Sequence, residues 1–134
     1  MLLVLPLRMI ILTFSIFCYP SWKLLLIVLS SLSAFFFECP NLTKIVIPSS
    51  VELNDDHSLT LCTQLKEITF MHPSSVTLIC ASCFKKCISL CYVIFEAPSS
   101  LPVMCSFAFS NCILLKEISI PSSLIYMKPF VFQI

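Results

Sequence analysis

Glycine is absent from the chain, although about 7% is average for soluble domains. Every tight backbone position must therefore be met by a residue that carries a Cβ, at a conformational cost wherever φ is positive. Charge is scarce as well. Eight Lys plus Arg stand against seven Asp plus Glu, which leaves neither a basic face for nucleic acid nor an acidic tail. Residue patterns for catalysis and calcium binding are missing too. His57 and His72 have no histidine or carboxylate at a fixed spacing around them and read as solvated loop residues. Glu52, Asp55 and Asp56 lack the oxygen-rich, regularly spaced loop of a calcium site. No serine or cysteine is set apart with a positioned base, as a nucleophile requires. No catalytic residue, cofactor or nucleic-acid partner is expected.

What the chain does have is apolar surface. Hydrophobic residues reach 58%, above the roughly 45–50% of soluble domains, and they are unevenly placed. Residues 1–37 hold only Arg8 and Lys23 and no acid, whereas residues 38–134 hold six lysines and all seven acids. The chain thus divides into an apolar segment, 1–37, and a mixed domain, 38–134. The apolar part contains two runs, 1–18 and 24–37, separated by YPSWK. A membrane span needs about 20 apolar residues and a signal core 7–15. Three arrangements fit: a helical signal or membrane anchor, a degenerate extension of the downstream fold continuing its sheet over Leu42 and Ile45, or a two-span hairpin. A membrane-directed helix over part of 1–37 is the expectation adopted, because only ten residues separate Leu29 from Cys39 where fourteen recur elsewhere.

The mixed domain is a repeat. PSSV at 48–51 and 73–76 and PSSL at 98–101 and 121–124 place their prolines 25, 25 and 23 residues apart. Fourteen residues after each of the first three prolines stands a cysteine, Cys62, Cys87 and Cys112, and Cys39 begins the same pattern. The resulting units are 39–61, 62–86, 87–111 and 112–134. Leu42, Leu65, Leu90 and Leu115 share a column. So do Ile45, Ile68, Val93 and Ile118, and then Ile47, Phe70, Phe95 and Ile120. The last two columns are two residues apart and face one side of a short strand. Val51, Val76, Leu101 and Leu124 follow the turn, then Ile79, Met104 and Met127, and Leu59, Phe84, Phe109 and Phe132 close each unit. Units of this length bury their apolar face only by stacking.

PSSVTLICASCFKKC and CSFAFSNCILLKEISIPSS resemble the cysteine-containing leucine-rich repeats of BspA-type surface proteins over about residues 34–134. The resemblance implies a β-rich leucine-rich-repeat solenoid of right-handed coils, with one parallel sheet at 44–47, 67–70, 92–95 and 117–120. Short extended or 3₁₀ segments lie on its other side, and an apolar, helical N-terminal segment precedes it. It also implies a non-enzymatic recognition or adhesion module that binds a protein or glycan on another cell surface. Such a module is cell-surface or secreted, with membrane association through 1–37. Outward sheet positions Lys44, Glu67, Thr69, Tyr92, Glu117 and Ser119 are the candidate partner contacts. One alternative is a truncated or vestigial structural fragment without binding activity of its own. The second is a cysteine-cluster metal protein, suggested by CASCFKKCISLC at 80–91.

In the repeat register those four cysteines separate. Cys87 belongs to the structural ladder Cys39, Cys62, Cys87 and Cys112. Cys80 takes the family's glycine, Cys83 its alanine and Cys91 its lysine. A tetrahedral metal site needs all four turned to one point, so buried packing thiols are expected instead and no metal is assigned. Cys80 and Cys105 share a column and are the pair to join if a disulfide forms. The glycine column, here Asp55, Cys80, Cys105 and Lys128, is where positive φ is expected. NLT at 41–43 is a glycosylation sequon with Asn41 as acceptor. The last unit stops before its own ladder cysteine, and a stack without a polar capping repeat exposes its core edge.

Overall fold

The computed structural model describes residues 24–25, 38–47, 56–74 and 76–134. They form a β-solenoid of about three turns. One wall is a parallel sheet of β1 (Leu24–Leu25), β2 (Lys44–Ile47), β3 (Glu67–Phe70), β5 (Tyr92–Phe95) and β7 (Glu117–Ile118), in that spatial order. The opposite wall carries β4 (Leu78–Ile79), β6 (Val103–Met104) and β8 (Tyr126–Met127), also parallel. Registers run Lys44↔Glu67, Glu67↔Tyr92 and Tyr92↔Glu117, as the repeat columns require. The turns between the walls are stapled by the recurring serines. Ser100 Oγ donates to the Ser74 carbonyl at 3.1 Å, Ser123 Oγ to the Leu101 carbonyl at 3.2 Å, and Ser74 Oγ accepts the Val76 N–H at 3.2 Å. The first such turn, 48–50, lies outside the described residues.

A third ladder runs through the turns that precede each ladder cysteine. His57, Leu59 and Leu61 donate their N–H groups to the carbonyls of Ala81, Cys83 and Lys85 in the next coil, at 3.2, 2.9 and 2.9 Å. Ser82, Phe84 and Lys86 repeat this onto Ser106, Ala108 and Ser110. The alternate residues close i→i+3 bonds inside the coil, from Cys83 to Cys80, Lys85 to Ser82 and Cys87 to Phe84. The segment is therefore a chain of overlapping i→i+3 turns, the bond type of a 3₁₀ turn, in which every second N–H is given to the neighbouring coil and not kept within its own.

Left-handed residues produce the alternation. Positive φ recurs in two columns, at His57, Ser82, Phe107 and Phe130, and at Glu38, Leu61, Lys86 and Asn111, with values of 54–66°. None is glycine. The expected column is thus corrected: Cys80, Cys105 and Lys128 are not left-handed, and Asp55 lies outside the described residues. Positive φ falls two residues further on, where the backbone must reverse to aim an N–H at the neighbouring coil, and again just before each ladder cysteine. A non-glycine residue there costs about 1–2 kcal/mol.

Side chains from both walls and the turns fill one core. Ile45, Ile68 and Val93, then Ile47, Phe70 and Phe95, and Leu59, Phe84 and Phe109 are buried as aligned columns. Phe70 stacks on Phe95 at 4.4 Å, Phe84 on Phe109 at 5.1 Å and Phe109 on Phe132 at 5.7 Å between ring centroids. These separations follow from parallel strands about 4.8 Å apart. The columns open at β7. Ile120, expected inward, is 47% exposed, and Met127 and Phe132 are exposed as well. The strand ends at Ile118, two residues short of expectation, because Ser119 Oγ accepts the Phe95 N–H at 2.8 Å in place of a backbone carbonyl. Beyond that point no ladder among the described residues holds Ile120 against the core.

Within the apolar segment, the described residues Leu24–Leu25 are extended, with Leu24 paired to Ile45 and Leu25 to Val46. The expected helix does not include them, since β2 offers an open edge that only an extended neighbour can pair. The rest of that expectation lies outside the described residues. Lys86 provides the sharpest check on the backbone account, because its side chain is exposed while its φ is 60°. Lys86→Gly is expected to raise unfolding stability by about 1 kcal/mol in urea titrations, and Lys86→Val to lower it.

Candidate functional site: the outer sheet face and the cysteine ladder

Alternation along the strands puts every second residue of the sheet outside. Lys44, Glu67, Tyr92 and Glu117 therefore form one row across four coils, joined by the strand register. Val46, Thr69 and Ile94 form a second row beside it. Lys44 Nζ donates to Glu67 Oε1 at 2.5 Å, and Thr69 Oγ1 donates to the same oxygen at 3.4 Å. Both charged groups are partly solvated, so the pair contributes at most about 1 kcal/mol. Its larger effect is to neutralise Glu67 at this end of the face. Tyr92 and Ile94 are 41% and 40% exposed at the centre, and Glu117 is exposed beyond them.

Five of the six candidate contacts, Lys44, Glu67, Thr69, Tyr92 and Glu117, thus come together on one surface. Ser119 lies past the end of β7, and its hydroxyl is engaged with the β5 backbone. Sequence reasoning passed over Ile88, Ile113 and Leu114, which are exposed in the turns leading into the sheet. The signal was available in Ile88 and Ile113, each directly following a ladder cysteine. Lys85 Nζ over the Phe107 ring at 5.6 Å, with Phe107 stacked on Phe130 at 5.4 Å, was also missed. Those rings sit at left-handed positions that nothing in the composition marks. A cavity of about 270 Å³ lies at the β7 end, beside Phe109, Cys112, Ile118 and Phe132.

The polar residues weighed for other roles have local duties. Asp56 Oδ1 accepts the Ala81 N–H at 2.9 Å, capping the next coil's turn. His72 is exposed, donates its N–H to Glu96 Oε2 at 3.0 Å and its Nδ1–H to the Pro98 carbonyl at 2.6 Å. His57 is exposed beside Thr60, with Oγ1 and Nδ1 3.4 Å apart.

The ladder cysteines point inward and bind the coils. Cys87 Sγ donates to the Leu59 carbonyl and Cys112 Sγ to the Phe84 carbonyl, each at 3.2 Å. Each bond spans two coils and reaches the residue three before the preceding ladder cysteine. A small thiol suits this place, because it packs as an apolar group and still supplies a weak donor. Cys62 is held by its neighbours' thiols: the Cys39 hydrogen bond lowers its pKa, but the Cys87 hydrogen bond and burial outweigh that and push it up to about 12. Burial pushes Cys112 up to about 12 against the opposing backbone bond from Cys87. Burial, then the Cys80 thiol, raises Cys83 well above the ordinary range. Of the stretch 80–91, Cys80, Cys83 and Cys87 are buried and Cys91 is half-buried. Among the described residues no three His, Cys, Asp or Glu side chains are placed to hold a metal ion, and no disulfide joins Cys80 to Cys105.

The model of one family, described as BspA type leucine rich repeat region, matches residues 30–134 in six copies. The chain belongs to that family. Neither a curated protein nor a solved structure matches it. BspA-type repeats mark a repeat-based interaction or surface module, generally structural or binding in role and typically surface or secreted. Among the described residues no helix is long and apolar enough to cross a membrane.

The thiols of this BspA-type stack give a chemical readout of the fold. Iodoacetamide at pH 8 is expected to modify the half-buried Cys91 and Cys105 first. Cys62, Cys83 and Cys112 should react only at the rate of unfolding, which mass spectrometry of digests resolves. Below the ordinary thiol pKa of about 8.5, folded and unfolded chains are both protonated and full stability is present. Above it the unfolded chain releases protons that folded Cys62 and Cys112 keep, so stability falls as pH rises towards about 12. The urea midpoint should therefore drop between pH 8 and pH 10.5.

Proposed function

We propose that the protein is a non-enzymatic recognition and adhesion module whose outer sheet face binds a protein or glycan on another cell surface. The observation that carries this reading is the in-register row Lys44, Glu67, Tyr92, Glu117, with Tyr92 and Ile94 exposed at its centre. A half-exposed aromatic set among mixed polar groups is the composition of a binding hot spot with its rim. An extended, shallow face suits a macromolecule better than a small substrate, which needs a concave, largely apolar cavity. Such a role places the protein at the cell surface or outside the cell, with residues 1–37 supplying membrane association.

Binding of the purified full chain to intact cells and to immobilised glycans tests the proposal. Tyr92→Ala is expected to weaken binding about 30-fold or more, the effect of losing an interfacial anchor of roughly 2 kcal/mol, and Glu67→Ala to weaken it less. Lys85→Ala, in the turn on another side of the coil, should leave binding unchanged. No binding by the folded wild-type chain would favour the rival reading, a structural or vestigial copy without a partner.

A further inference from the structure

We propose that Asn41 is N-glycosylated, carrying one glycan at the entry to the outer sheet face. The inference rests on the part of the proposed function that places the chain outside the cytoplasm. Its structural basis is the turn Cys39–Leu42, closed by the Leu42 N–H onto the Cys39 carbonyl at 3.4 Å. Pro40 occupies the second position of that turn, where its fixed φ is favoured, and Asn41 the third. Cys39 and Leu42 are buried and anchor the turn on both sides, while Pro40, Asn41 and Thr43 are exposed. The Thr43 carbonyl accepts the Lys66 N–H at 2.8 Å, so the backbone is fixed and the threonine side chain stays outside. No described residue bonds the Asn41 side chain. A glycan there therefore displaces no side-chain hydrogen bond among the described residues.

The register makes the site single. The positions equivalent to Asn41 in the following coils are Gln64, Ser89 and Leu114, and the remaining asparagines, Asn54 and Asn111, lack a serine or threonine two residues on. The co-reactant is a lipid-diphosphate-linked oligosaccharide. The Asn41 amide nitrogen forms a bond to the sugar's anomeric carbon, the bond from that carbon to the diphosphate oxygen breaks, the amide releases one proton, and the lipid diphosphate leaves. No electron is gained or lost. Ser89, the equivalent position in the coil of Tyr92, lies two coils further along the stack, about 10 Å away at the strand spacing, and Tyr92 is three residues beyond it. The glycan is thus attached beside the binding row, three residues before Lys44.

The full chain translated with glycosylation-competent membranes tests this. One mass shift is expected, removed by peptide-N-glycosidase, lost in Asn41→Gln and in Thr43→Ala, and kept in Thr43→Ser. A wild-type chain without the shift, whether in membrane, lumenal or soluble fractions, overturns the proposal, as does a shift that persists in Asn41→Gln. Binding by unglycosylated chain made in bacteria is measured separately, so failure at Asn41 and failure of the recognition reading give different results.

Discussion

Each coil of this protein turns backbone hydrogen-bonding groups towards its neighbours, and that unfinished capacity is what the fold is built on. Three ladders use it: the parallel sheet β1-β2-β3-β5-β7, the opposite sheet β4-β6-β8, and the turn ladder from His57, Leu59 and Leu61 onward. Unpaired backbone groups in a buried place are costly, so a coil is stable only when stacked. Side-chain stacking then follows. Phe70 on Phe95 and Phe84 on Phe109 are consequences of the register, and they add apolar burial to a spacing already set by the backbone.

The turn ladder sets the most unusual demand. To send alternate N–H groups to the next coil, the chain becomes left-handed twice per unit, and it does so without glycine. Asn111 tolerates this through its short polar side chain, whereas Leu61, Lys86, Phe107 and Phe130 carry a larger steric penalty. Inter-coil bonds on either side offset the strain. The ladder cysteines support the same junction, since Cys87 and Cys112 donate to carbonyls of the preceding coil's turn.

Much of this was legible in the sequence. The inward columns of Leu65, Ile68 and Phe70, the outward placement of Tyr92 and Glu67, and the separation of the 80–91 cysteines came directly from the repeat register. Position within a period determines which way a side chain points, and the period was plain. What stayed hidden depended on φ. Without glycine to mark them, the left-handed residues were placed two positions early, and the stacked Phe107 and Phe130 at the turn corner went unnoticed. End effects were hidden too. Ile120 shares its column with Phe95, yet its exposure follows from a serine hydroxyl standing in for a strand carbonyl. Leu24–Leu25 paired with β2 because an open edge outweighed an apolar pattern that fits helix and strand equally well.

Amide hydrogen exchange tests the dependence on inter-coil bonding most directly, and Lys86 is the residue to follow. Its side chain is exposed, yet its N–H donates to the Ser110 carbonyl at 2.8 Å. The account predicts that the Lys86 amide exchanges as slowly as those of Phe84 and Ile68, all three through one cooperative opening. Fast exchange at Lys86 with protection at Ile68 would show turns closed on themselves beside an independent sheet, and would contradict it.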